Sequence, residues 1–102
     1  MLFRSKKGTL TALQAQERLL QPLLKRFPND AHLQDQWMRT LMTTAEHLYG
    51  MGRASEAASY NERARAVAEK LTKHDPANVR WRKWIKRIEV LRRQMAQETV
   101  GA

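Results

Sequence analysis

Cysteine is absent from this 102-residue sequence. Its absence excludes a disulfide framework, a thiolate metal site and a cysteine nucleophile, and it agrees with a reducing compartment. Long apolar runs are missing as well. The opening MLFRSKKGTLTALQAQ has none of the length that a signal peptide needs, and no stretch approaches the roughly 20 apolar residues that cross a bilayer. A soluble, cytoplasmic protein is therefore expected. The β-branched alternation of strands is lacking too. Apolar residues instead recur at helical spacing, which predicts an all-α fold. Only three prolines and four glycines are present, so the few breakers carry most of the information on where helices stop.

What the chain has in excess is positive charge: 19 Lys and Arg against 10 Asp and Glu, a formal net charge of +9. The excess sits at the ends. Residues 1–8 hold Arg4, Lys6 and Lys7 and no acid, residues 78–102 hold seven basic and two acidic side chains, and residues 9–77 are left at +1. A neutral body with basic termini fits a single domain over 9–97, flanked by flexible tails at 1–8 and 98–102.

Within that domain the periodicity predicts four helices. The first spans about 11–27, with Leu13, Leu20, Leu24 and Phe27 facing inward and a kink or break near Gln21, because Pro22 removes a backbone donor and crowds the preceding turn. After FPND, with Asp30 as cap, the second spans about 31–50 and carries two apolar rows: Leu33, Trp37, Leu41 and Leu48, and Met38, Met42, Ala45 and Tyr49. An arc that wide predicts two neighbours. YGMGRAS makes the next turn, with Ser55 as cap. The third helix, about 55–74, bears a small-residue stripe of Ala57, Tyr60, Ala64, Val67, Ala68 and Leu71 that permits close approach. KHDPAN then ends it, and a fourth helix runs over about 78–97.

Pro28 and Pro76 lie 48 residues apart, each opening an aromatic-bearing helix, which reads as an internal helical-hairpin repeat. Over AEHLYGMGRASEAASYNERARAVAEKLTKHDPAN the chain resembles the tetratricopeptide repeat family, in its extended bacterial form. Ala45, Gly52, Ala57, Tyr60, Ala64 and the DPAN at 75–78 carry the resemblance. The resemblance implies antiparallel helical hairpins in a right-handed solenoid, with this chain at the C-terminal end of such an array. It also implies a non-catalytic scaffold or adaptor, whose groove along the first-type helices is lined by Arg39, Met42, Glu46, Tyr49 and Arg87. An acidic protein or peptide is favoured as its partner over a basic one. The carboxylate-clamp pattern of chaperone-binding members is not carried over, since Met42 and Glu46 stand where that subgroup has lysine and asparagine.

Chemistry is hard to place on these residues. His32, His47 and His74 lack ligand spacing, so no metal site is expected. The two glycines of YGMG follow a helix rather than a strand, which makes them turn residues and not a phosphate cradle. The carboxylates Glu46, Glu56, Glu62 and Glu69 lie among basic residues as helix-surface ion pairs, such as Glu69 with Lys73. No enzyme activity and no cofactor is expected.

The stretch NVRWRKWIKR opens the last helix. On a helical wheel Trp81, Trp84, Ile85, Ile88, Leu91 and Met95 occupy an arc of about 120°, with Arg80, Arg82, Lys83, Lys86, Arg87 and Arg93 outside it. Packing against the repeat accounts for the arc; binding of nucleic acid or another polyanion by the basic face is the alternative function. In the repeat register Glu89, Arg92 and Arg93 fall where a following helix would dock, so residues 78–97 are expected to end the array as a solvating cap. The first helix has no such coat, so its far side is expected either to be covered by another part of a longer repeat protein or to serve self-association.

Overall fold

A computed structural model describes residues 6–101 of the chain, and side chains from 8 to 98. It contains α1 (Lys6–Arg26), α2 (Ala31–Gly50), α3 (Ala54–His74) and α4 (Val79–Gly101), with no strand among the described residues. The fold is all-α, built of consecutive helical hairpins.

Each hairpin is set by a short turn whose hydrogen bonds follow from its residues. Between α1 and α2, the Phe27 amide donates to the Leu23 carbonyl (2.8 Å) and the Asp30 amide to the Phe27 carbonyl (3.2 Å). Asp30 Oδ1 then accepts from the amides of His32 (3.0 Å) and Leu33 (3.1 Å), satisfying donors that the first helical turn leaves orphaned. Between α3 and α4 the same set recurs 48 residues on. Asp75 donates to the Leu71 carbonyl (3.0 Å), Asn78 to the Asp75 carbonyl (3.1 Å), and Asn78 Oδ1 accepts from the Trp81 amide (3.1 Å). The two proline-containing junctions are copies of one another. The α2–α3 turn is different: Gly52 adopts φ +79°, and the amides of Gly52 and Arg53 reach back to the Tyr49 and Leu48 carbonyls at 3.0 and 2.9 Å. That is the Schellman closure, which needs a residue tolerant of the left-handed region.

The core forms between antiparallel α2 and α3, the most extensively packed pair. Met38, Leu41 and Met42 meet Ala64, Ala68 and Leu71 toward one end, and Ala45 and Leu48 meet Ala57 toward the other. The alanines, all fully buried, let the helix axes come close. Each large buried side chain contributes about 1.5–3 kcal/mol relative to exposure. From α4, Trp81 and Ile88 join the first cluster and Leu91 and Met95 the second, so α4 lies antiparallel to α3 and parallel to α2. The wide apolar arc of α2 is thus used on α1, α3 and α4. Among the described residues α1 makes no backbone approach to α3 or α4, although its Glu17 reaches Arg63 of α3 at 3.5 Å.

Several expectations need correction. α1 begins at Lys6 rather than Thr11, because Leu10 is buried against the α2–α4 end of the core and holds that turn in place. Residues 6–8, expected as tail, are therefore helical, and residues 1–5 lie outside the described residues. α4 likewise continues beyond Gln97, through residues 98–101, where the Glu98 carboxylate is engaged by Tyr49. Pro22 sits inside an uninterrupted α1. It is exposed, and Leu20 and Leu24 on the opposite side hold that turn against α2, so the missing donor does not end the helix. Phe27, expected inward, follows the helix end and is 48% exposed, with the Arg26 guanidinium over its ring at 5.6 Å. α3 starts at Ala54, so Ser55 lies within the first turn instead of capping it.

Candidate functional site

Parallel α2 and α4 are tied by three polar links that step along the pair. Near their N-termini, Trp81 Nε1 donates to Asp35 Oδ1 at 3.1 Å. In the middle, Arg87 makes a two-pronged bridge to Glu46, with Nε and Nη2 donating at 2.7 Å each. Toward their C-termini the Tyr49 hydroxyl donates to Glu98 Oε1. Bidentate guanidinium–carboxylate geometry fixes both partners in angle as well as distance. The Arg87 guanidinium is accordingly held in its charged form more firmly than usual by its hydrogen bonds to Glu46. The Tyr49 phenol is raised above its ordinary range, first by its hydrogen bond to Glu98.

Asp35 is the residue that sequence reading missed. Its carboxylate is buried and offsets that cost with three partners: the Trp81 indole, Arg39 at 3.1 Å and Arg80 at 3.8 Å. The signal available was the Asp35/Arg39 spacing of one helical turn; the indole, 46 residues away, was not foreseeable.

Of the five residues expected to line a groove, four lie on this face and one does not. Arg39 is half-buried beside Asp35, Glu46 and Arg87 hold each other, and Tyr49 holds Glu98. Met42 is the exception: at 2% exposure it belongs to the core between α2 and α3 and cannot meet a ligand. Its position one turn from Met38 turns it toward α3, a direction that apolar spacing alone left ambiguous.

Beside these links, Arg80, Lys83, Trp84 and Arg87 enclose an open cleft of about 440 Å³. Arg87 lies over the Trp84 ring at 5.6 Å. The Trp84 indole nitrogen is buried without a hydrogen-bond partner, whereas Lys83 has no ion pair among the described residues. Arg39, Arg80, Lys83 and Arg87 outnumber Asp35 and Glu46 here, so the α2–α4 face keeps a net positive field. An anionic group entering the cleft meets cations and an aromatic flank.

The alternative basic surface divides in two. Arg82, Lys86 and Arg93 are exposed on the outward side of α4, together with Val79 and Val90; Arg82 and Lys86 carry no ion pair among the described residues, and Arg93 donates to the Glu89 carbonyl at 3.5 Å, while Lys83 lines the cleft with Arg80 and Arg87. Arg80 and Arg87 face α2. Glu89 and Arg92, expected to point toward an absent neighbour, instead pair with α3: Glu89 with Arg65 at 3.2 Å and Arg92 with Glu62 at 3.2 Å. Glu69 also pairs with Arg65, at 3.2 Å, in place of Lys73. Facing acids and bases across α3 and α4 neutralise that flank and leave the outer one bare.

His32, His47 and His74 are spread along the fold, and no group of three or more potential metal ligands occurs among the described residues. None of the helices, as described, is long and apolar enough to cross a membrane. Comparison with family models, with curated proteins and with solved structures returns no match.

Proposed function

We propose that this chain is a non-catalytic, tetratricopeptide-like interaction module of the cytoplasm, part of a right-handed solenoid and holding an acidic protein or peptide along α2 and α4. The observation that carries this reading is the cleft of Arg80, Lys83, Trp84 and Arg87 beside two parallel, cross-linked helices. The 48-residue recurrence of the junctions supports the repeat architecture. Two rigid parallel helices offer a strip on which a partner pays little ordering cost. A chain with acidic side chains gains from displacing water near cations whose own partners are too few.

Calorimetric titration with a synthetic peptide bearing alternate glutamates, beside its lysine counterpart, tests the proposal. The glutamate peptide should bind and the lysine peptide should not. Reversing Lys83 and Arg80 to glutamate should weaken binding at least about tenfold, or ~1.4 kcal/mol. Equal heats for both peptides would remove the reading.

A second reading has its own observation, the exposed Arg82, Lys86 and Arg93 on the outward side of α4, none in an ion pair among the described residues. Nucleic acid drawn to this side would lose affinity steeply with salt. Fluorescence anisotropy of a labelled duplex between low and physiological salt, with those three residues changed to alanine, decides it.

A further inference from the structure

The backbone hydrogen bonds of the two junctions correspond one to one at a shift of 48, so α1 occupies the place of α3 in the repeat. In α3, two faces are used. One, around Asn61, Arg65 and Ala68, meets the helix that follows: Asn61 Nδ2 donates to the Ile88 carbonyl at 3.0 Å and Arg65 pairs with Glu89 at 3.2 Å. The corresponding residues of α1 are Leu13, Glu17 and Leu20; Leu20 is buried and Leu13 and Glu17 half-buried, so this face is turned into the fold, with Glu17 reaching Arg63 of α3. The other face of α3, with Tyr60, Ala64, Val67 and Leu71, packs against the helix that precedes it, and this is the most extensive interface of the fold.

In α1 that second face has no cover among the described residues. Its register equivalents are Ala12, Gln16, Leu19 and Leu23, all exposed; Leu19 is 72% and Leu23 41% accessible, where Leu71 is 1%. Phe27 extends the stripe by one turn at 48%. A run of large apolar side chains at one-turn spacing is a docking face rather than scattered exposure.

Charge decides what covers it. Arg18, Lys25 and Arg26 are exposed along and beside the stripe without an ion pair among the described residues, and the one acid of α1, Glu17, is turned to Arg63. Two copies docked through α1 would bring these cations together, and like charges across an interface are costly. Head-to-tail stacking on α4 of another copy fails for the same reason, since the α4 residues in register with the α3-facing side of α2 include Lys86 and Arg93.

We infer that the exposed face of α1 docks a helix of another polypeptide that is built like α2 on its inner side, running antiparallel to α1, with acidic residues on its flanks. The surface is separate from the α2–α4 cleft, so the failure of either reading leaves the other standing.

The probe is a synthetic 20-residue helix of α2's length, carrying Met, Leu, Met, Ala and Leu at the spacing of Met38, Leu41, Met42, Ala45 and Leu48, with glutamates elsewhere. A second peptide carries lysines in their place. Anisotropy of the labelled glutamate peptide should rise on titration with the full chain, with the lysine peptide at least about tenfold weaker. The double substitution Leu19→Asp with Leu23→Asp should abolish binding while circular dichroism and the melting midpoint hold. Changing Arg18, Lys25 and Arg26 to glutamate should reverse the preference between peptides, a gain that misfolding cannot produce. These titrations are run on a chain carrying Arg80→Glu and Lys83→Glu, which removes the acidic-peptide cleft of α4, and binding through α1 should persist there. Equal binding of both peptides, binding that survives the aspartates, or a dimer in sedimentation that Leu23→Asp dissolves would each overturn the inference, the last by assigning the face to a second copy.

Discussion

α1 and α3 occupy the same place in the repeat and end on the same hydrogen bond, from Phe27 to Leu23 and from Asp75 to Leu71, yet one is covered on two sides and the other on one. α3 spends alanines where it approaches α2 and α4, because two neighbours must fit around it. At the matching positions α1 carries Thr9, Gln16 and Leu20, and its Leu19 and Leu23, in register with Val67 and Leu71, stand in solvent. The difference teaches that a helix's stripes record the neighbours it is built for, while its place in the stack determines which are present.

The largest expected effect sharpens this contrast directly. Leu41→Ala, at the α2–α3 contact, should cost about 2–5 kcal/mol, whereas Leu23→Ala on the open side of α1 should cost less than about 1 kcal/mol; urea unfolding of both variants measures the gap. Similar losses would mean that α1 is covered after all. Next in size is Pro22→Lys, which gives α1 the residue α3 has at this register, Lys70. Restoring the donor should stabilise the chain by about 1–3 kcal/mol, read as a rise in melting temperature. A destabilised variant would show that the proline geometry is needed against α2. Smallest are the junction caps: Asp30→Ala and Asn78→Ala should each cost about 1 kcal/mol. If the junctions are true copies, the two losses match within a few tenths of that scale.

Much of the fold was legible beforehand. Pro28 and Pro76, with Asp30 as the cap after the first of them, mark helix starts by local chemistry, which needs no tertiary partner, and the inward rows of α3 and α4 follow from periodicity. Less of the site was legible. Glu46 and Arg87 lie 41 residues apart, and no local rule pairs them. Met42 reads equally well as groove or core until α3 is placed against it. Asn61 offers a polar letter on an apolar stripe, and only the nearby Ile88 carbonyl explains its burial. Pro22 misleads in the opposite sense, since a penalty strong in an isolated helix is offset here by Leu20 and Leu24 on α2.

By itself, then, the sequence determined what depends on short range: the all-α class, the four helices, their turns, the 48-residue period and the basic bias of the termini. Only the tertiary structure decided which charged residues are matched and which stay bare. Ion pairs and docking faces depend on angles between helices far apart in the chain, and a rotation of a few tens of degrees would carry Arg87 away from Glu46. Helical periodicity gives each residue its direction around its own axis; packing alone gives that direction a neighbour.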